Sequence, residues 1–152
     1  NDGLPGLVLD RYSDTFVLKL YTAAWLPHLQ ALVPEVAKVF APGQLVLRYA
    51  RNVKQAATDA GLQEGMSLLG PAVTSPVQFH EHGLTFEADV IRGQKTGHFL
   101  DQRDNRKTVG ELAKGCRVLD VFSCTGGFGV HAAAGGAKEV HSVDISAQAI
   151  RN

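Results

Sequence analysis

Between Val118 and Ser146 the chain reads VLDVFSCTGGFGVHAAAGGAKEVHSVDIS, and the order of apolar runs and glycines in this segment leaves the fold little freedom. The run Val118, Leu119, Val121 and Phe122 suits a strand buried on both faces of a parallel sheet. Thr125, Gly126, Gly127 and Gly129 then make a loop that a ligand can approach closely, because glycines remove the side chains that would block it. Phe128 to Ala134 follows as a small-residue helix whose free N-terminal amides face the loop, and Gly135 and Gly136 stop it. A second strand, Glu139 to Val143, delivers Asp144 at its end. Such an order opens a nucleotide-cofactor site in an α/β fold.

Spacing decides between cofactors. A dinucleotide fingerprint wants G-x-G-x-x-G, a pyrophosphate on the helix N-terminus and an acid about 20 residues further on. Gly126, Gly127 and Gly129 miss that register, and Asp120 lies on the first strand just ahead of the loop. A carboxylate there repels a pyrophosphate but accepts hydrogen bonds from an ammonium group. Asp144 can accept from both hydroxyls of a ribose. A ligand with a cationic amino-acid end and a ribose meets both demands, and S-adenosylmethionine is such a ligand. A dinucleotide oxidoreductase is disfavoured on the same residues.

Two further segments carry a family resemblance. GQKTGHFLDQRDNR, Gly93 to Arg106, together with the D-V-F-S-x-T-G-G-F-G loop at Asp120 to Gly129, resembles the bacterial S-adenosylmethionine-dependent large-subunit rRNA methyltransferases that make 5-methylcytosine. The opening DGLPGLVLDRY, Asp2 to Tyr12, is similar to the start of that family's central domain. The resemblance implies that Lys95, Thr96, Gly97, Gln102 and Arg103 border the cofactor, beside a loop formed by Asp120, Ser123, Thr125, Gly126, Gly127, Phe128 and Gly129, with Asp144 across from it. Arg103 is then a partner for the methionine carboxylate, and Phe99 and Leu100 pack over the adenosyl group. Surface ion pairs of Arg103 and Arg106 with Asp101 or Asp104 are the competing reading.

The resemblance also implies demanding chemistry. Carbon 5 of cytosine takes a methyl group only after a cysteine thiolate has added to carbon 6. Neither Cys116, at the start of the first strand, nor Cys124, inside the loop, suits that role, and the chain has no N/D-P-P motif. The nucleophilic cysteine is expected beyond residue 152. A class I methyltransferase sheet has about seven strands, and this chain supplies its first two. It reads as a piece of a longer enzyme, inactive alone. A related methyltransferase acting on another position, such as nitrogen 7 of guanine, and a non-catalytic module holding cofactor or RNA stay open.

Composition sets limits. With 152 residues and 45% hydrophobic content the chain can bury an ordinary core, and it has no apolar run of the roughly 18 residues that would suggest a membrane span. It opens on Asn, without a charged-then-apolar leader, and its two cysteines form no C-x-x-C pair, which suits a cytoplasmic location. The histidines show no metal-ligand spacing, and no metal is expected. Net charge is zero. Basic residues nevertheless cluster at Arg92 to Lys107 and at Lys38 to Lys54, where no acid intervenes, so Arg48, Arg51 and Lys54 are candidates for contact with large-subunit ribosomal RNA. A homodimer is left open.

Along the chain, Leu7 to Tyr12 and Thr15 to Tyr21 read as a hairpin about Ser13 and Asp14. Trp25, Leu29, Leu32, Val33, Val36 and Phe40 recur at helical spacing, with Pro34 expected to kink or divide the helix. Gln44 to Tyr49 reads as a strand and Arg51 to Leu62 as a loop or short helix. Val77 to His82 and Leu84 to Ile91 read as a second hairpin, and Asp101 to Lys114 as a helix ended by Gly115. The expected class is α/β: an α+β central domain (1–76), a β-hairpin with a lead-in helix (77–115), and the truncated start of a class I, Rossmann-like methyltransferase sheet (116–152).

Overall fold

A computed structural model describes residues 3–151, which form two compact units. The first runs through His80 and takes in Thr85–Phe99; the second consists of Glu81–Leu84 and the chain from Leu100 onward.

In the first unit, β1 (Leu7–Tyr12) and β2 (Thr15–Leu20) form the expected antiparallel hairpin, closed by Ser13 and Asp14. A short 3-10 helix, Ala23–His28, leads into α1 (Leu29–Phe40), and this crossover lets β3 (Gln44–Tyr49) run parallel to β2. After a 3-10 turn, Arg51–Val53, and α2 (Lys54–Asp59), the chain adds β4 (Ser67–Leu69) antiparallel to β3, giving the order β1-β2-β3-β4. One element goes beyond the sequence expectations, and one expectation needs correction. The short strand β4 had no strand pattern of its own, and the helical stripe divides at Pro27 and His28, not at Pro34. Pro34 sits inside α1 on its exposed side, and the carbonyl it leaves without a donor belongs to Gln30, which is also exposed, so water can satisfy it.

Apolar alternation sets the two faces of this sheet. Phe16, Leu18 and Leu20 with Leu45, Leu47 and Tyr49 point to one face, where Leu29, Val36, Val53 and Ala57 close the core. Tyr12, Val17 and Val46 are buried on the other. There the hairpin of β5 (Val77–Glu81) and β6 (Leu84–Ala88) supplies Phe79, which meets the Tyr12 ring edge to face at 5.2 Å. A line of hydrogen bonds crosses the same face. The His98 amide donates to the Tyr12 hydroxyl at 3.1 Å, that hydroxyl lies 2.9 Å from Thr96 Oγ1, and Thr96 donates to Asp10 at 2.6 Å. Burial pushes the Tyr12 phenol up to about 12.

Arg48 also belongs to this face, and its expected role in RNA contact is corrected. The side chain is buried, with Nε donating to Glu64 at 2.9 Å, Nη1 to the Val90 carbonyl at 2.9 Å and Nη2 to the Gly93 carbonyl at 3.2 Å. A guanidinium committed in this way ties the 90–93 segment to the sheet and is not presented to phosphate.

The second unit begins with a 3-10 turn, Leu100–Gln102, and α3 (Arg103–Leu112), followed by β7 (Arg117–Val121), α4 (Gly127–Ala134), β8 (Glu139–Val143) and α5 (Ala147–Arg151). β7 and β8 pair in parallel, Val118 opposite Val140 and Asp120 opposite Ser142. Helices α3 and α4 approach so closely that a Cβ on Gly135 would run into the Gly110 carbonyl, so their contact requires glycine on both sides. Burial of β7 on both faces is not observed. Leu119 is 66% exposed and Val121 50%, because α4 covers only the face of Val118 and Asp120, and among the described residues no element covers the other.

The core assignment predicts a contrast measurable by urea unfolding. Leu18→Ala is expected to cost about 2–5 kcal/mol, whereas Val39→Ala, on the exposed side of α1, should stay within about 0.5 kcal/mol. Equal losses would contradict the placement of the two faces.

Candidate cofactor site

The loop between β7 and α4 is held by polar groups, not by apolar packing. Phe122 and Cys124 both sit in the left-handed region, with φ of 62° and 51°, and Phe122 is 86% exposed. Two such residues in one short loop are strained and persist only where the surroundings enforce the conformation. Here the surroundings are two carboxylates. Asp144, at the end of β8, accepts the Cys124 amide on Oδ2 and the Ser146 amide on Oδ1, each at 2.8 Å. These bonds, Ser146 first and then Cys124, hold its carboxyl below the usual value of 3.8. Asp120 accepts the Gly129 amide on Oδ2 at 3.0 Å, and desolvation raises its carboxyl above 3.8.

Close packing of α4 on the strands explains Gly129. A Cβ there would stand 2.6 Å from Ser142 Oγ and 3.3 Å from Asp120 Oδ2, so a larger residue would displace the helix end from the carboxylate that caps it. The Ser123 amide donates to the Val143 carbonyl at 3.1 Å and its own carbonyl accepts from Gly126 at 2.8 Å. Its hydroxyl, by contrast, is buried without a hydrogen-bond partner. A buried hydroxyl left in this state calls for a group that the protein does not itself supply. The loop thus offers a hydroxyl, a low-pKa carboxylate and a desolvated carboxylate, a donor and acceptor set suited to a ribose and an ammonium group.

The expected residues divide between the units. Asp120, Ser123, Thr125, Gly126, Gly127, Phe128, Gly129 and Asp144 form this one loop and its flanks. Gln102 and Arg103 belong to the same unit, at the start of α3, where Arg103 is exposed and Gln102 accepts from Asn105 at 2.9 Å. Lys95, Thr96 and Gly97 lie in the first unit. The Thr96 hydroxyl bonds to Asp10 and lies beside the Tyr12 hydroxyl, and the Lys95 ammonium lies over the Phe99 ring, 4.6 Å from its centroid.

Arg106 is corrected as well. It is buried, 2% exposed, and pairs with Glu81 through two bonds of 2.6 and 2.7 Å instead of lying on the helix surface. His131 of α4 places Nε2 3.5 Å from the same carboxylate and Nδ1 2.9 Å from the Gly127 carbonyl, so the cluster reaches the first turn behind the loop. Sequence reading missed it, although a signal existed. Glu81 occupies the inward register of β5 beside Phe79, and an acid at such a position demands a buried cation. Among the described residues no group of three or more metal-ligating side chains is positioned to hold a metal.

Known proteins resemble the chain over its whole length. A family described as S-adenosylmethionine-dependent methyltransferase matches residues 64–152. The chain is 51% identical over 152 residues to a ribosomal RNA large subunit methyltransferase of Deinococcus radiodurans, covering all of this chain and 37% of that protein. It is 38% identical over 151 residues to ribosomal RNA large subunit methyltransferase I of Aeromonas salmonicida, again covering 37% of that protein. A solved structure from Streptococcus mutans, described as a candidate SAM-dependent methyltransferase, superposes with a TM-score of 0.84 at 26% identity, covering 99% of this chain and 38% of its own. The chain therefore spans little more than a third of the length of the relatives it matches.

The electrostatics predict opposite titrations. Asp144, held low, contributes stability that is fully present above about pH 3.9 and is lost as pH falls through its own lower value. Asp120, held high, favours its protonated form in the fold, and that contribution fades as pH rises through its raised value. Carboxyl carbon shifts followed by NMR should titrate Asp120 above Asp144; the reverse order would contradict the hydrogen bonding described. Separately, Glu81→Gln should cost about 3–5 kcal/mol by leaving a buried guanidinium uncompensated, measured as a loss of urea-unfolding free energy, and a neutral result would contradict burial of the pair.

Proposed function

The chain belongs to the S-adenosylmethionine-dependent methyltransferase family, and from that premise we propose that it supplies the cofactor-binding start of an RNA methyltransferase that makes 5-methylcytosine in large-subunit ribosomal RNA. The observation that carries this reading is the likeness over the full chain to the Deinococcus large-subunit enzyme. In this proposal residues 1–76 are the central α+β domain, 77–115 the hairpin and lead-in, and 116–152 the opening strands of a class I sheet. A ribosomal substrate makes the location cytoplasmic. No helix of the described residues is long and apolar enough to cross a membrane.

The residues of the second unit fit the cofactor. Asp144 takes the ribose hydroxyls with the lone pairs that its two amide bonds leave free. Asp120 takes the ammonium group, whose arrival would offset the cost of burying that carboxylate. The Ser123 hydroxyl would gain the partner it lacks, Thr125, Gly126, Gly127, Phe128 and Gly129 would border the ligand, and the exposed Arg103 would hold the methionine carboxylate. When bound, S-adenosylmethionine supplies an electrophilic methyl group on sulfonium. The protein's task here is to orient that group and keep water from it.

Activation of cytosine needs a thiolate, and the two cysteines of this chain do not suit it. Cys116, exposed at the foot of β7, directs its thiol at the Leu112 and Lys114 carbonyls, 3.7 and 3.8 Å away. Cys124 is fixed in the loop by the bond from its amide to Asp144. The proposal assigns the attack on carbon 6 to another cysteine of the complete protein.

Methyl transfer from labelled S-adenosylmethionine to unmodified large-subunit rRNA by the complete protein, with products resolved by nucleoside mass spectrometry, tests the proposal. Label in 5-methylcytosine is expected, and Asp144→Ala should raise the KM for S-adenosylmethionine at least about tenfold, the scale of a lost charge-assisted hydrogen bond. Label on guanine, or no transfer, would overturn the substrate assignment.

A further inference from the structure

Three buried polar side chains of the second unit take no part in the ligand chemistry proposed above, yet they reach the loop that performs it. Glu81 and Arg106 are each 2% exposed and His131 4%. Glu81 lies at the tip of the hairpin, Arg106 on α3 and His131 on α4, all within one compact unit. Arg106 holds both oxygens of the Glu81 carboxylate, at 2.6 and 2.7 Å, which fixes the carboxylate plane. That carboxylate lies 3.5 Å from Nε2 of His131, and Nδ1 of the same ring lies 2.9 Å from the Gly127 carbonyl. A carbonyl oxygen only accepts, so Nδ1 carries the proton of this bond. The ring has little room to turn away. The His82 ring meets it edge to face at 5.9 Å, and α3 passes so close that a Cβ on Gly110 would stand 3.6 Å from the His131 Cβ.

The turn that this bond reaches has little helical strength of its own. α4 is eight residues long and starts Gly127, Phe128, Gly129, with two glycines whose conformational freedom weakens a helix. Its N-cap, Gly126, lies in the left-handed region at φ 75° and has no side chain to offer the free amides. Orientation of the first turn therefore comes from outside its own backbone. Asp120 accepts the Gly129 amide at 3.0 Å from the strand side, and His131 donates to the Gly127 carbonyl from the side of α3 and the hairpin tip.

We propose that Glu81, Arg106 and His131 are positioning residues for the cofactor. Through the Gly127 carbonyl they fix the first turn of α4, and with it the affinity for S-adenosylmethionine, without touching the ligand. The assignment rests on the reading of this loop as the cofactor site.

The test compares two amide substitutions in the complete protein, with S-adenosylhomocysteine affinity measured by calorimetry and folding checked by circular dichroism. Asparagine places an amide donor where Nδ1 stands and keeps the Gly127 bond; glutamine places it where Nε2 stands and keeps only the contact with Glu81. His131→Asn should bind within about twofold of wild type, whereas His131→Gln and His131→Leu should bind about tenfold more weakly, the scale of one hydrogen bond. In rRNA methylation the weakened variants should show a raised KM for S-adenosylmethionine with kcat and the KM for RNA unchanged, a split that loss of stability alone does not produce. His80→Gln, at an exposed histidine next to Glu81 on β5, should change none of these. A second measurement needs no variant and decides the matter if the substitutions unfold the protein. Because coupling is reciprocal, the Nδ1 proton of His131, followed by NMR in the wild-type protein, should exchange with solvent more slowly once S-adenosylhomocysteine is bound. Folded variants that all bind as wild type does, a His131→Asn as weak as His131→Leu, or ring-proton exchange indifferent to ligand would each overturn the positioning role and leave the cofactor reading standing. A wild-type protein that binds no S-adenosylhomocysteine would overturn that reading and the positioning role with it.

Discussion

Two carboxylates bonded to backbone amides hold the loop on which the site depends. Phe122 and Cys124 adopt conformations that non-glycine residues avoid, and the loop buries little apolar surface to compensate. The strain is offset where Asp144 accepts the Cys124 amide and Asp120 accepts the Gly129 amide, one carboxylate from each strand of the parallel pair. Strand order therefore becomes site geometry. The register that sets Asp120 opposite Ser142 also sets the distance between the two acids that a ligand would meet.

Buried guanidiniums play the corresponding part within each unit. Arg48 fastens the 90–93 segment to the first sheet through two carbonyls and Glu64, and Arg106 fastens α3 to the hairpin tip through Glu81. Removing one partner of such a pair costs more than the pair contributes, because the remaining charge stays buried. His131 extends the second cluster to the Gly127 carbonyl, linking a charged core contact to the first turn of α4.

The sequence made the strands and the loop legible because their cues are local. Gln44–Tyr49 and Glu139–Val143 lie where the apolar runs put them, and the Ser13-Asp14 and His82-Gly83 turns close both hairpins. Tertiary contacts decided the rest. β4 is too short to show a period and exists because β3 offers it an edge. Pro34 does not break α1, because the carbonyl it leaves without a donor belongs to the exposed Gln30, and sequence position alone does not reveal that exposure. Arg48 and Arg106 sit in basic stretches that resemble solvated or phosphate-binding surface, and only the inward registers of their strand and helix show them to be core charges. The acids Asp120 and Asp144 were readable, but their bonds to loop amides and the lone Ser123 hydroxyl were not.

The central claim is that this loop is built for a cationic amino acid joined to a ribose, and not for a dinucleotide. Competition calorimetry on the complete protein, titrating S-adenosylhomocysteine with and without excess NAD, tests it most directly. The account predicts saturable binding of S-adenosylhomocysteine that NAD does not displace and that Asp120→Asn and Asp144→Asn each weaken. Displacement by NAD, or binding indifferent to both carboxylates, would contradict it.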